Sequence, residues 1–422
     1  MCMKRKISRR QFMKEAASLG ALSACSLGAW GRLGNRIAHA QSMNGNGNTL
    51  IILNLFGGID GLNWIIPYSN GVYYDRRPTI AIPEAQVLDL NGSLGFHPSW
   101  ALMHDIWSDN DIAVIQQVGY PDANFSHFES QDIWSAGKRS IKGAADQRGW
   151  LGRLVDTYFP QDSYKMFGVG VSYQSDFQTN VAPKPIILES LGEYSYQDDY
   201  SAGPDNQYRQ QLAQNHFNSI SSGQSNRAQL QSAMQAMHPS VNVMEGLESG
   251  YSSSVVYPED NYLARKLNDV AKIVTGSIGS QVIYTGLAGW DTHDEQSSFF
   301  GQQLLNVSTA LNAFITDLKL SGQWNKTTIV LSSEFGRNTF ENGGRGTDHG
   351  HGNSMVVMGG NVNGGIYGPT PTTADLNMDY LDYAIDFRSV YKAVVRDHLG
   401  LNPDPVFSET IVTKDVSLDL FT

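Results

Sequence analysis

Five short polar stretches of this chain hold the residue types and spacings that could do chemistry. In "GWDTHDEQ", Asp291 and His293 are alternate residues, which on an extended strand end share a face and can reach one ion together. "SSEFGRN" brings Glu334 and Arg337 close, either as a plain ion pair at a helix start or as parts of a site. "GRGTDHGHGNSMVVMGG" sets Asp348, His349 and His351 among glycines. Glycine already supplies the turn there, so the imidazoles point to an ion, and alternation would aim His349 and His351 the same way. In "GGIDGLN", Asp60 serves either a turn with Gly61 or a cation. In "YPDANFSHFESQ", Ser126 and Glu129 fit a capping box. The same geometry exposes the Ser126 hydroxyl at the positive end of a helix, where an attacked phosphate or sulfate would be stabilised. His97 and His104, at and within a helix start, read as structural.

These stretches need a scaffold that makes them converge. "TLIILNLFGG", "DIAVIQQVG", "SQVIYTGLAG", "TTIVLSS" and "SMVVMGG" read as buried strands, being short apolar runs bounded by turn residues. "HPSWALMHDIWSDN", "SHFESQDIWSAG", "GWLGRLVDTYF", residues 259–275, residues 297–320 and "IDFRSVYKAVVRDHLG" read as helices. Residues 49–119 form a β-α-β unit, and the alternation predicts an α/β fold: a mostly parallel sheet sandwiched by helices. In such a sheet ligands bind outside the carboxyl ends of the strands, where "GGIDGLN", "GWDTHDEQ" and "SSEFGRN" fall, while "YPDANFSHFESQ" bridges a strand and its helix and "GTDHGHGN" comes just before the last strand. Residues 200–255, rich in Gln, Asn, Ser and Met, read as a helical insertion or lid.

Residues 1–40 read as a twin-arginine export signal, with "KRKISRRQFMK" before a modestly apolar stretch. Cleavage falls after Ala40, or a lipid anchor is attached at Cys25 within "LSAC". Residues 41–48 form a linker, and 49–422 a single domain. Removing the signal, with its eight Lys/Arg and one Glu, takes the net charge from −11 to −18, which excludes nucleic acid as a natural partner. No stretch of the mature chain is long and apolar enough to span a membrane. Both cysteines, Cys2 and Cys25, lie in the signal, so a metal would have to be held by oxygen and nitrogen.

"LFGGIDGLNWIIPY", "NFSHFESQDIWSAG", "GWLGRL", "GWDTHDEQ", "SSEFGRN" and "NGGRGTDHGHGNSMVVMGG", in this order, resemble the secreted domain of unknown function 1501 family across essentially the whole mature chain. That family is similar to the alkaline phosphatase and sulfatase superfamily. The resemblance implies an alkaline-phosphatase-like core binding one or two divalent ions (Zn, Mn, Mg or Ca). It makes Asp60 the first metal aspartate, Ser126 the nucleophile, Asp291 and His293 a later metal pair, and His349 or His351 the final metal histidine. Glu334 takes the place of a ligand aspartate, but Phe335 stands where the superfamily keeps a histidine, and Asp348 or the second histidine would compensate. Arg337 would hold the non-bridging oxygens while the Ser126 alkoxide attacks phosphorus or sulfur in line, and water then hydrolyses the covalent ester.

The expected function is a periplasmic or extracellular metal-dependent hydrolase of phosphate or sulfate esters, on small-molecule or polymer substrates, delivered by the twin-arginine export machinery. The alternative is a non-catalytic binding protein that keeps the fold and an ion. The replaced histidine and the lack of a sulfatase-type C-x-P-x-R or S-x-P-x-R motif favour that alternative.

Overall fold

The computed structural model describes residues 46–142, 148–159, 166–170, 185–193, 246–276 and 278–422. The expected export signal with its cleavage or lipidation site, and the body of the expected insertion at 200–255, lie outside the described residues.

Strands β1 (Thr49–Phe56), β5 (Ile112–Gly119), β8 (Val282–Ala288), β9 (Thr327–Ser332) and β10 (Asn353–Met358) are the five apolar runs of the sequence. With β6 (Met166–Val169), β7 (Ile186–Leu188), β11 (Gly365–Tyr367) and β12 (Ile385–Asp386) they make a nine-stranded sheet in the order β11-β5-β10-β9-β1-β8-β6-β7, β12 also pairing with β5. Short strands β2 (Ile65–Ile66), β3 (Leu88–Asp89) and β4 (Gly95–Phe96) form a small second sheet.

Successive residues of β1 serve opposite faces. Ile51, Leu53 and Leu55 join one apolar cluster, Leu50 and Ile52 the other. The first face is covered by α1 (Ala101–Ser108), α4 (Tyr262–Thr275) and α5 (Phe300–Leu320), through Met103, Leu267 and Leu311 among others. The second is covered by α2 (His127–Ala136), α3 (Trp150–Tyr158) and α6 (Phe387–Ala393), through Trp134, Leu154 and Tyr391. Burial on both faces is why these strands read as continuous apolar runs rather than alternating ones.

The mostly parallel sheet has one departure, which the sequence pattern does not reveal. Strand β10 runs antiparallel to both β5 and β9. The residues entering β10 therefore lie at the same sheet edge as those leaving β1, β5, β8 and β9. The β-α-β unit over 49–119 is also not a pair of neighbours, because β9 and β10 lie between β1 and β5.

Two other buried histidines are structural, as the sequence suggests for His97. Its Nδ1 accepts from the Ser99 amide at 3.1 Å, and burial pushes its pKa down to about 4. His398 accepts from Thr328 through Nδ1 and donates to the Thr49 carbonyl through Nε2, and burial likewise lowers it to about 4. Between these values and the ordinary histidine value, the unfolded chain binds protons that the folded chain refuses. Stability should therefore fall as pH drops from about 6.5 toward about 4, by on the order of 2 kcal/mol or more for each histidine. Urea midpoints measured across that range should flatten in a His398→Gln variant, and a slope identical to wild type would contradict the assignment.

Candidate metal centre

The carboxyl edge is assembled around the turn after β1. Gly57 (φ 117°) and Gly58 (φ 64°) adopt conformations that side chains resist, and a Cβ there would lie 2.5 Å from the Asp291 nitrogen and the Phe335 ring respectively. Only glycine lets the β1, β8 and β9 loops pack this closely. Arg337, almost wholly buried, ties them together. It donates to the carbonyls of Gly57, Gly58, Trp290 and Thr347 and to Asp291 Oδ1 at 2.7 Å.

Asp291 Oδ1 is the hub of the site. His293 Nε2 lies 3.0 Å from it, His349 Nε2 3.2 Å and His127 Nε2 3.4 Å. His293 Nε2 and His349 Nε2 are themselves 3.0 Å apart. Potential ligand atoms of His127, Asp291 and His349 all fall within 4.8 Å of one another. Burial alone would raise the Asp291 carboxyl, but the Arg337 hydrogen bond and charge, with His293 and His349, hold it down to about 2.

The far side of each imidazole decides what the near side offers. His127 Nδ1 faces Glu334 Oε1 at 2.7 Å, His293 Nδ1 faces Asp348 Oδ1 at 2.9 Å, and His349 Nδ1 faces the Phe125 carbonyl at 2.7 Å. Carboxylates and carbonyls only accept, so each Nδ1 carries the proton. In the neutral rings each Nε2 then presents a lone pair toward Asp291, so four acceptors meet with no donor among them. The buried His127 Nε2 indeed has no hydrogen-bond partner among the described residues. Two ligands about 2.1 Å from one tetrahedral ion lie roughly 3.4 Å apart, and the three Nε2 atoms stand 3.0 to 3.4 Å from Asp291 Oδ1. The donor set fits a divalent cation, and three imidazoles favour zinc or manganese over magnesium or calcium, which prefer all-oxygen shells.

Glu334 is fully buried, and its own burial would raise its pKa. The bond to His127, with the amide of Gly57 at 2.9 Å, lowers it instead. The hydrogen bond to Glu334 raises the His127 pKa against its burial. Asp348 is lowered by the hydrogen bonds from Asn342 and His293. His349 is lowered by burial, which keeps the ring neutral.

The structure thus brings Asp291, His293 and His349 together as the sequence suggests, and places Glu334 and Asp348 behind two of the imidazoles rather than beside the shared atoms. Asp60 and His351 stand apart. Asp60 caps the one-turn helix Gly61–Trp64 and is fully buried against Arg77 (2.6 Å) and Gln296 (2.6 Å). His351 faces the Tyr120 carbonyl at 2.7 Å within an aromatic box of Tyr120, Phe125, Tyr380 and Tyr383. The expectation that alternation aims His349 and His351 together fails because the segment before β10 is not a regular strand. The expectation that Arg337 grips substrate oxygens meets a guanidinium whose Nε and both amino groups already serve protein acceptors.

The capping box expected at Ser126 is also replaced. Asn124 Oδ1 accepts from the Ser126 amide at 2.9 Å, and Asn124 Nδ2 binds Glu129, leaving the Ser126 side chain without a capping bond at the start of α2. Both neighbours of Ser126 touch the centre, Phe125 through its carbonyl and His127 through its ring. His127 itself is the candidate ligand that sequence reasoning passes over in favour of the adjacent serine. Its signal is positional, since the first residue of a helix that follows a strand at the carboxyl edge projects into the crevice. Phe335 lies under the centre, its ring 4.8 Å from those of both His127 and His349.

A helix-flanked sheet with three histidines and an aspartate at its carboxyl edge defines an α/β protein with a candidate metal centre. The chain belongs to the family described as protein of unknown function (DUF1501), whose family model matches residues 113–398, the segment containing every residue of the cluster. Among curated proteins no sequence matches. Several solved structures are similar. An alkaline phosphatase superfamily protein from Vibrio parahaemolyticus is 9% identical with a TM-score of 0.39, over 92% of this chain and 78% of that one. A sulfatase from Pseudoalteromonas sp. is 12% identical with a TM-score of 0.35, over 93% and 74%. The alkaline phosphatase of the Antarctic bacterium TAB5 is 10% identical with a TM-score of 0.34, over 87% and 100%.

Proposed function

We propose that this chain is an exported hydrolase of phosphate or sulfate esters that works with one divalent cation held by His127, Asp291, His293 and His349. The observation that carries the reading is the approach of three imidazole Nε2 atoms to within 3.0 to 3.4 Å of one carboxylate oxygen. When bound, the cation supplies Lewis-acid stabilisation of charge developing on the ester oxygens. The protein's own groups do the rest. Glu334, Asp348 and the Phe125 carbonyl fix the tautomer and direction of each imidazole. Arg337 holds Asp291 ionised and locks the three loops. Ser126, on the N-terminal turn of the ten-residue α2, offers an uncapped hydroxyl where the helix dipole favours negative charge. Its oxygen attacks phosphorus or sulfur, the alcohol leaves, and water releases the inorganic anion.

The occupied guanidinium of Arg337 favours a second reading, a metal-dependent binding protein without turnover, because the cation expected to grip the anion is spent on protein acceptors. Assays of metal-loaded protein on aryl phosphate and aryl sulfate separate the two. Hydrolysis of either ester is expected, with Ser126→Ala lowering turnover by about two orders of magnitude or more while metal content stays unchanged. Unchanged turnover in Ser126→Ala would remove the nucleophile from the scheme, and no hydrolysis of either ester would leave the binding reading.

A further inference from the structure

A second concavity opens at the same edge of the sheet, on the α4/α5 face. It encloses about 320 Å³, within the range of small-molecule sites, and is lined by Tyr262, Leu287, Phe299, Gln302, Gln303 and Asn306 among others. Its position follows from topology. Helix α5 leaves from the carboxyl end of β8, and α4 runs back to enter it, so the N-terminal turns of both helices stand at the edge that carries the metal centre. Ala288 lines the groove only three residues before Asp291, so at most about 11 Å of backbone separates them.

The chemistry of the lining is distinctive in a strongly acidic chain, because it contains no ionisable acid, lysine, arginine or histidine. Two rings are partly open to solvent, Phe299 at 40% and Tyr262 at 38%. Around them stand side-chain amides already oriented by protein contacts. Gln302 Nε2 donates to Asn306 Oδ1 at 3.1 Å, and Gln303 Nε2 to the Ala288 carbonyl at 2.9 Å. These bonds leave the carbonyl oxygens of both glutamines as acceptors and the Asn306 amide group as a donor. Tyr262 is engaged on one side by Lys266, 4.6 Å from its ring centroid, and through its hydroxyl by Glu189; Phe299, beside the neutral amides of Gln302, Gln303 and Asn306, matches a ligand with an apolar ring face and a rim of hydroxyls.

We infer that this groove is a subsite for a neutral carbohydrate residue, the sugar adjoining the esterified group of the substrate. The second half of this assignment rests on the ester-hydrolase reading; sugar binding itself does not. Maltose, cellobiose and lactose, titrated into the full chain and followed by saturation-transfer NMR and calorimetry, test it. At least one should bind, equally well before and after chelation of metal, and Phe299→Ala and Asn306→Ala should each weaken it about fivefold without moving the thermal midpoint. No binding by any of the three sugars, or binding untouched by both substitutions, would overturn the assignment. Sugar binding by a protein that hydrolyses neither aryl ester would uphold the subsite while the hydrolase reading fails, so the two failures are distinguishable.

Discussion

Replacing His349 by alanine is expected to cut the affinity for zinc or manganese by at least about a hundredfold and to abolish metal-dependent ester hydrolysis, whereas His351→Ala should leave metal affinity within about threefold. The two histidines are separated by one glycine, yet their surroundings differ completely. His349 Nε2 lies 3.2 Å from Asp291 Oδ1 and 3.0 Å from His293 Nε2, so its loss removes one of four converging donors. His351 Nε2 is spent on the Tyr120 carbonyl inside an aromatic box, so its loss empties packed volume and exposes a carbonyl instead. The expected signature is therefore crossed: His349→Ala loses metal and keeps most stability, and His351→Ala loses stability and keeps metal. Competition against a chelating dye, with urea unfolding of the metal-free proteins, reads both quantities. Equal loss of metal in the two variants would contradict the geometry.

Arg77→Met is expected to destabilise the metal-free protein by about 3 to 5 kcal/mol. Arg77 and Asp60 are wholly buried and paired at 2.6 Å, and the guanidinium also donates to the carbonyls of Asn338 and Thr339 and to Asn63. Methionine fills similar volume but leaves the Asp60 carboxylate with only the Gln296 amide and the Leu62 backbone as partners. Removing the charge as well, in an Asp60→Asn/Arg77→Met double variant, should recover part of the loss. Asp60→Asn alone should keep full metal stoichiometry, because the carboxylate is turned into the Arg77 and Gln296 network. A variant that lost its metal while keeping wild-type stability would instead make Asp60 a ligand, the role that the family resemblance assigns it.

That contrast shows which features a sequence carries. The five buried strands and their flanking helices are legible because burial on both faces leaves unbroken apolar runs. The polar stretches are legible because they adjoin the ends of such strands. The direction of β10 is not, since an apolar run looks the same in either sense, and that direction is what brings "GTDHGHGN" to the carboxyl edge. Pairing is equally hidden. Nothing local says that Asp60 meets Arg77, that Glu334 backs His127, or that Arg337 is consumed by backbone carbonyls, because those partners lie far apart in the chain. The choice of Ser126 over His127 has a similar origin, since a capping pattern draws attention to the serine while the candidate ligand is the residue after it.

Everything proposed for the chemistry depends on one divalent cation binding where His127, Asp291, His293 and His349 converge. Anomalous diffraction from crystals of the protein purified without chelator and grown with zinc or manganese locates that ion without recourse to an assay. One anomalous peak per chain is expected, about 2.0 to 2.3 Å from ligand atoms of those four residues, with Glu334 and Asp348 facing imidazole Nδ1 atoms and outside the ion's ligand shell. A peak coordinated by Asp60, or no peak at the cluster, would contradict the proposed centre.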